Sequence, residues 1–275
     1  MRLSPRHPRY RSLRVRERLA AAARSGVVVP EGLVAHGRGE AFDYLLGERT
    51  SASARRAERR AAEWLLAAER PVVSVNGNVA ALAADGVARL AAAVPGLAVE
   101  VNLFHRTPGR ARAIAARLRA AGIDPVLGVR PTATIPGLPS DRARVDRRGI
   151  LVADVCLVPL EDGDRTAALR AMGKRVIAID LNPLSRTSRT ADLPVVDELS
   201  RALAHLAEDA RRIRRSRRPV SFRPAEAPQL LADALAAIDR HLSRAAAVRA
   251  PRRARRAPAS PRSTRGTRGR SRRTP

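Results

Sequence analysis

Polar side chains gather where several apolar stretches of the chain end. Four apolar runs, which we interpret as strands, are each followed directly by amides, carboxylates or arginines. The clusters are Asn76-Gly77-Asn78, Asn102 with His105 and Arg106, Glu161-Asp162-Gly163-Asp164-Arg165, and Asp180-Leu181-Asn182. The carboxyl ends of parallel strands share one edge of a sheet, and ligands bind in the crevice there. These groups, without an adjacent nucleophile, suit catalysis by positioning and by charge neutralisation at phosphates.

The stretch after residues 176–179 is the richest in hydrogen-bonding groups. Residues 176–179 are apolar and are typical of a strand buried on both faces. Asp180 and Asn182 follow, and then hydroxyls and guanidiniums occupy residues 185–190. Such a run at a strand end suits an anionic, hydroxyl-bearing ligand such as a nucleotide. A polar surface loop that ends in a helix cap is the alternative.

A second candidate is the segment His36-Gly37-Arg38-Gly39-Glu40. Two glycines flank one arginine, so the backbone is free to adopt positive φ and to approach a ligand closely. The pattern predicts a loop that grips phosphate, and a simple turn is the alternative.

The acidic cluster at residues 161–164 could hold a metal ion. Carboxylates beside a phosphate site commonly bind Mg²⁺, and we assign it to Asp162 and Asp164. The alternative is that these acids favour the amino terminus of a helix.

Several other chemistries find no support in the sequence. It contains neither GxxxxGK[ST] nor GxGxxG, and no cysteine or histidine cluster has zinc spacing. The single cysteine, Cys156, lies within an apolar run, which favours a structural role over a nucleophilic one.

The alternation of strands and helices predicts an α/β fold. We expect a Rossmann-like parallel sheet with helices on both faces, preceded by N-terminal helices. The strands are predicted at residues 71–76, 98–103, 125–129, 153–159, 176–179 and 194–196.

Four regions are expected along the chain. Residues 1–69 form a helical segment packed on the core, and residues 70–213 form the Rossmann-like core that binds nucleotide and substrate. Residues 214–247 form a basic hinge and a last helix, and residues 248–275 form a disordered arginine-rich tail. Within the core, residues 130–149 show little periodicity and are a candidate flap.

Composition limits the protein's class and compartment. Hydrophobic residues make up 45% of the 275 residues but aromatics only 2%, so the core must consist mainly of small and aliphatic side chains. The lone cysteine is typical of a reducing interior. No stretch reaches 18 apolar residues and no signal peptide is evident, so we expect a cytoplasmic protein without a membrane segment.

Several longer motifs closely resemble those of the archaeal phosphopantothenate synthetases. They are residues 36–44 (HGRGEAFDY), 71–78 (PVVSVNGN), 101–107 (VNLFHRT), 158–165 (VPLEDGDR) and 180–186 (DLNPLSR). The likeness extends in order from about residue 7 to residue 207, and the arginine-rich region after Arg211 is not part of it.

The resemblance implies an ATP-dependent amide ligase of coenzyme A biosynthesis with a Rossmann-like core. In that family ATP activates the 4-phosphopantoate carboxylate as an acyl-adenylate and releases pyrophosphate. The β-alanine amine then attacks, which gives 4′-phosphopantothenate and AMP. The resemblance also implies a homodimer.

The resemblance carries the family's ATP contacts to nine positions. They are Arg16, Arg38, Asp180, Leu181, Asn182, Arg186, Thr187, Glu198 and Leu199. The chain departs from the family at Glu198, where we expect asparagine, so a side-chain amide contact would be lost. For phosphopantoate we expect contacts from Asn76, Asn78, Asn102 and Arg106, because its phosphate needs a cationic or amide cradle.

Two other functions stay open. The net charge of +27 and the arginine-rich tail would suit a nucleic-acid-binding protein, or an enzyme whose tail contacts RNA non-specifically. The near absence of aromatic stacking surface argues against nucleic-acid binding by the core. The departure at Glu198 would also fit an inactive nucleotide-binding relative.

Overall fold

The computed structural model describes residues 4, 6–7, 9–217 and 219–249. From residue 250 onward, the predicted disordered tail lies outside the described residues.

Eight strands were assigned in chain order. They are β1 (Pro71–Val75), β2 (Ala98–Val101), β3 (Val126–Leu127), β4 (Ala133–Thr134), β5 (Arg144–Val145), β6 (Val155–Pro159), β7 (Arg175–Ile179) and β8 (Leu193–Val195). Six of them form one parallel sheet in the order β3-β2-β1-β6-β7-β8. The strand order therefore reverses between β1 and β6, which is the arrangement that opens a ligand crevice in Rossmann folds. The predicted fold class is confirmed.

Nine helices surround the sheet within the described ranges. They are α1 (Tyr10–Arg24), α2 (Pro30–Leu46), α3 (Ala52–Ala67), α4 (Gly77–Ala93), α5 (Pro108–Ala120), α6 (Gly163–Ala171), α7 (Arg186–Thr190), α8 (Leu199–Ser216) and α9 (Ala227–Arg249). Among them, no helix combines the length and the apolar character that a bilayer crossing requires.

The two faces of the sheet are covered by different elements. Alternate strand residues such as Val73 and Leu157 join the large core formed with α1, α3, α4, α5 and α8. Their neighbours Val72 and Cys156 point to the other face and pack with α6 and with residues of the 130–153 segment. This alternation follows from the two-residue period of a strand. Both faces are buried, as expected for a parallel sheet.

Local capping sets where the helices around the strand ends begin. Asn76, Thr107, Asp162 and Glu198 each accept a hydrogen bond from a backbone N–H in the first turn of α4, α5, α6 and α8, respectively. A side-chain acceptor at this position satisfies N–H groups that the helix cannot. The polar residues after the strands therefore serve the fold as well as the site.

Three local expectations are corrected by the structure. The segment His36-Gly37-Arg38-Gly39-Glu40 lies inside α2, so it is neither a loop nor a turn, and neither glycine adopts positive φ. The candidate flap at residues 130–149 contains the antiparallel β4–β5 pair and buried apolar side chains at Ile135 and Val145. The expected basic hinge does not begin at residue 214, because α8 continues to Ser216.

Candidate functional site

A cavity of about 790 Å³ opens where the strand order reverses. The ends of β1, β2, β6 and β7 contribute to it, together with α2 and the starts of α4 and α8. Ten of the predicted site residues line it: Arg38, Asn76, Asn78, Asp162, Asp180, Leu181, Asn182, Thr187, Glu198 and Leu199. Residues from four separate strand ends therefore converge on a single space.

The turn after β7 is ordered by its own hydrogen bonds. Asp180 Oδ1 accepts from the backbone N–H of Asn182 at 3.0 Å, and its Oδ2 accepts from the Ser185 hydroxyl at 2.6 Å. Burial raises the pKa of Asp180, although these hydrogen bonds and Arg38 oppose the shift. Ser185 also caps the short helix α7, so the capping alternative holds for Ser185 while Asp180 and Asn182 line the cavity.

The Thr187 and Glu198 side chains are also held by backbone groups. The Thr187 hydroxyl donates to the carbonyl of Glu161 at 2.8 Å, which ties α7 to the end of β6. The Glu198 carboxylate accepts from the backbone N–H groups of Ser200 at 2.9 Å and Arg201 at 3.0 Å. The helix therefore holds both carboxylate oxygens of Glu198 at its amino terminus, where negative charge is favourable.

Asn76 and Asn78 hold the cavity walls together. Asn76 Oδ1 caps α4 by accepting from the N–H of Val79, and its Nδ2 donates to the carbonyl of Leu160 at 2.9 Å. Asn78 Nδ2 donates to the carbonyl of Gly32 in α2 at 2.8 Å. Both amides thus line the cavity while bridging separate elements.

Helix α2 brings an unpaired histidine to the cavity. His36 lines the space, and its Nε2 atom is buried without a hydrogen-bond partner among the described residues. Burial lowers the pKa of His36, which favours the neutral ring. A buried nitrogen atom without a hydrogen-bond partner costs free energy. A ligand that supplied a hydrogen-bonding atom to His36 Nε2 would therefore bind favourably here.

Five of the predicted site residues lie off the cavity lining, namely Arg16, Asn102, Arg106, Asp164 and Arg186. Arg16 forms an ion pair with Glu40 at 2.8 Å, and Arg186 forms one with Asp164 at 2.6 Å. Glu40 and the neighbour of Arg186, Thr187, do line the cavity. Arg16 therefore contacts a residue of the lining, and Arg186 precedes one in the sequence.

Asn102 and Arg106 serve the scaffold in this structure. Asn102 Nδ2 donates to the carbonyls of Arg142 and Arg144, each at 3.1 Å. Arg106 Nη2 donates to the carbonyls of Gly128 and Val129. Because Asn102 Nδ2 and Arg106 Nη2 are hydrogen-bonded to backbone carbonyls, the two side chains position the segment between β3 and β5 rather than reach into the cavity.

Known proteins are similar to this chain over most of its length. A family model described as phosphopantothenate/pantothenate synthetase matches residues 53–240. The chain belongs to this family. A relative from Methanosarcina mazei, named 4-phosphopantoate–β-alanine ligase, is 50% identical over 88% of this chain and 96% of its own length. Relatives with the same name from Methanospirillum hungatei and Thermococcus onnurineus are 58% and 54% identical, over 73% and 76% of this chain and over 82% and 80% of their own lengths.

The acids predicted to bind Mg²⁺ do not form a ready metal site in this synthetase. Asp162 Oδ1 caps α6, and its Oδ2 lies 2.9 Å from Arg142 Nε. Asp164 faces Arg186. Within the described ranges, the group of acids and histidines close enough to share a metal ion is Glu58, Asp197 and His205, which does not include either acid. Mg²⁺ at Asp162 and Asp164 therefore stays a prediction without a preformed site.

The synthetase brings two arginines to the cavity that sequence reasoning missed. Arg142 comes from the expected flap, is 7% exposed, and forms ion pairs with Glu161 and Asp162. Arg110 comes from α5 and lines the same region. The mixed charges of residues 141–148 were a weak signal for Arg142. No feature of the sequence distinguishes Arg110 from the other arginines along α5.

Proposed function

We propose that the protein is an ATP-dependent ligase that joins 4-phosphopantoate to β-alanine, as a step of coenzyme A biosynthesis. The observation that carries the proposal is the convergence of Asn76, Asn78, Asp180, Asn182 and Thr187 on one cavity. Relatives that are 50% and 58% identical to this chain over the aligned residues bear the name of this activity. Together they favour a ligase over a nucleic-acid-binding core.

The proposed reaction has two steps. A carboxylate oxygen of 4-phosphopantoate attacks the α-phosphorus of ATP, the bond between the α-phosphorus and the bridging oxygen breaks, and pyrophosphate leaves. The neutral amine of β-alanine then attacks the acyl carbon, the bond to AMP breaks, and the amine proton passes to solvent. The products are 4′-phosphopantothenate, AMP and pyrophosphate.

We assign ATP to the part of the cavity formed after β7 and β8, which we call the nucleotide side. It comprises Asp180, Leu181, Asn182, Thr187, Glu198 and Leu199, with Arg38 and His36 facing it from α2. In this assignment Asp180 accepts hydrogen bonds from ribose hydroxyls. Arg38, which is exposed and near enough to lower the pKa of Asp180, neutralises phosphate charge.

Arg16 and Arg186 would join the nucleotide by changing partners. Arg186 is 70% exposed and its partner Asp164 is 64% exposed, so their ion pair contributes little to stability. A triphosphate offers a denser negative charge than either carboxylate partner. The two arginines thus act as rim contacts that ATP recruits.

Glu198 is compatible with activity in this arrangement. Its carboxylate accepts two hydrogen bonds from the start of α8, as an asparagine oxygen can at the same position. Its charge is therefore partly neutralised before ATP arrives. This weakens the alternative of an inactive relative, which rested on this residue.

The test is direct. The purified protein is incubated with ATP, 4-phosphopantoate and β-alanine, with each substrate omitted in turn, and the products are identified by mass spectrometry. We expect 4′-phosphopantothenate and AMP only in the complete mixture. Exchange of labelled pyrophosphate into ATP with 4-phosphopantoate alone would support the acyl-adenylate, whereas ADP and phosphate as products would contradict it.

We further propose that the enzyme works in the cytoplasm as a homodimer, as the resemblance implies. Light scattering of the purified full-length chain tests the dimer, and a monomeric mass at working concentration would contradict it.

A further inference from the structure

A buried polar cluster outside the cavity joins α3 to the start of α8. It consists of Glu58 in α3, Asp197 in the turn before α8 and His205 in α8, and one nitrogen or oxygen atom from each lies within 4.8 Å of the others. Glu58 is 0% exposed and Asp197 is 1% exposed. None of the three residues lines the cavity, although Asp197 directly precedes Glu198 of the nucleotide side. The cluster is therefore a separate place in the fold.

Glu58 and His205 already have the spacing of two ligands on one metal ion. His205 Nδ1 lies 2.9 Å from Glu58 Oε2. Bonds of about 2.0–2.2 Å place two neighbouring ligands of a zinc ion roughly 3 Å apart. The other carboxylate oxygen, Glu58 Oε1, is buried without a hydrogen-bond partner among the described residues. Such an oxygen is stabilised by a proton or by a cation that it can bind.

Carboxylates outnumber guanidiniums in the ion-pair network that surrounds the cluster. The network contains four carboxylates and three guanidiniums, from Asp43, Glu58, Asp197, Asp209, Arg55, Arg201 and Arg212. Burial lowers the pKa of His205, which favours the neutral ring that binds metals. A buried network with one carboxylate in excess favours a further positive charge.

Other side chains hold the two carboxylates in place. Thr50 Oγ1 donates to Asp197 Oδ2 at 2.6 Å, and Arg55 Nη1 donates to Glu58 Oε2 at 2.6 Å. Carboxylates that bind metals are commonly oriented by hydrogen bonds of this kind. The His205 side chain is 29% exposed, which gives an ion a path from solvent and leaves room for water as a further ligand.

We propose that Glu58, Asp197 and His205 bind a divalent transition-metal ion of the zinc type, which joins α3 to α8. Imidazole nitrogen and carboxylate oxygen both bind Zn²⁺ in proteins, whereas Mg²⁺ prefers oxygen ligands alone. A proton on Glu58 is the competing occupant, because burial raises the pKa of Glu58 to about 9 and Asp197 adds to the shift. The experiment must therefore distinguish a bound ion from a bound proton.

Binding of Zn²⁺ to the untagged full-length chain, freed of metal by a chelator, provides the test. Calorimetric titration should show one zinc ion bound per chain. The Tm should rise as the Zn²⁺ concentration increases, because the three ligands come together only in the folded chain. Mg²⁺ at the same concentrations should leave the Tm unchanged. These measurements detect metal binding alone and so do not depend on the proposed ligase function.

Glu58→Gln separates the two occupants, because glutamine resembles the protonated acid but has no negative charge to bind a cation. Loss of one ligand should weaken zinc binding by more than about a hundred-fold, since even the loss of a residue that orients a ligand costs about ten- to a hundred-fold. His205→Gln should have the same effect, and its partial exposure keeps the test valid if Glu58→Gln folds poorly. Glu208→Gln is the matched control on α8, because Glu208 is exposed and outside the cluster, and it should bind zinc as the wild-type chain does.

Two results would overturn the inference. One is the absence of zinc binding by the wild-type chain, which would leave the proton as the occupant. The other is equal zinc affinity in the wild-type chain, Glu58→Gln and His205→Gln, which would place the ion on other side chains.

Discussion

The two ends of the cavity are built in different ways. On the nucleotide side, the turn from Asp180 to Ser188 is held mostly by hydrogen bonds between residues within six positions of one another. At the opposite end, which we call the arginine end because Arg110 and Arg142 line it, Arg110 reaches Val27, which is 83 positions away, and Arg142 reaches Glu161 across 19 positions. The contrast suggests that a local turn keeps its shape without the rest of the site, whereas the arginine end exists only when distant segments are packed.

The largest effect is expected from Arg142→Ala, which removes one of the two arginines at the arginine end. Removing one partner of a buried ion pair destabilises a protein by about 3–5 kcal/mol, and Glu161 would be left with Arg165. Urea unfolding should therefore show a cost near the lower end of that range, together with a loss of ligase activity. The matched control is Arg144→Ala, whose side chain is 60% exposed, and it should change stability by less than about 0.5 kcal/mol. Equal stability of the two variants would contradict the contrast.

Arg38→Ala should reduce activity without loss of stability, because Arg38 is exposed on α2. One charge-assisted phosphate contact corresponds to about ten- to a hundred-fold in kcat/KM for ATP. Thermal unfolding should match that of the wild-type protein. Wild-type turnover in this variant would remove Arg38 from the nucleotide side.

The pH dependence should separate the two ends. Burial raises the pKa of Asp180 above its usual 3.8, so this carboxylate takes up a proton at a higher pH than an exposed aspartate. As the pH falls, the protonated form loses acceptor capacity for ribose, and KM for ATP should rise. KM for 4-phosphopantoate should not show the rise that comes from Asp180, because Asp180 lies on the nucleotide side.

The control for this pH series is Asp180→Asn, which should show a raised KM for ATP at all pH values. It should lack the acid limb, that is, the further rise in KM at low pH that comes from protonation of Asp180. An acid limb that persists unchanged in Asp180→Asn would show that another group is responsible.

Removal of residues 250–275 should have the smallest effect on catalysis. These residues lie outside the resemblance to the family and beyond the family match, which ends at residue 240. Kinetic constants should stay within about two-fold, because the family match does not include these residues. Binding to random RNA should weaken, with a smaller salt dependence, if the tail contacts phosphates. Equal RNA binding by the shortened chain would place that contact in the folded part.

Much of the sheet could be predicted because its signals are local. The strand Pro71–Val75 was expected at 71–76, and Val155–Pro159 was expected at 153–159. Apolar runs bounded by prolines, glycines and caps are sufficient for such assignments. The middle of α2 was missed, because two glycines within residues 36–40 usually mark a turn. In the folded chain α2 packs against α4 and α9, and this packing outweighs the low helix propensity of glycine, which costs about 1 kcal/mol per residue.

The same distinction between local signals and long-range packing applies to the site. Asp180, Leu181, Asn182 and Thr187 were predicted from their place after a buried strand, and all four line the cavity. Asn102 and Arg106 were predicted by the same reasoning and serve the scaffold, because Asn102 Nδ2 and Arg106 Nη2 donate to backbone carbonyls of residues 128–144. Position after a strand indicates the edge of the sheet, but not which way a side chain turns.

The sequence by itself determined where the six strands of the parallel sheet lie along the chain, the caps that begin several helices, and the family motifs at the strand ends. Only the tertiary structure decided which of many similar arginines become buried beside the cavity. The physical reason is that backbone propensity and capping act over a few residues. The burial of Arg110 and Arg142, and the opposing charges of Glu161 and Asp162, depend on segments that meet only after the chain has folded.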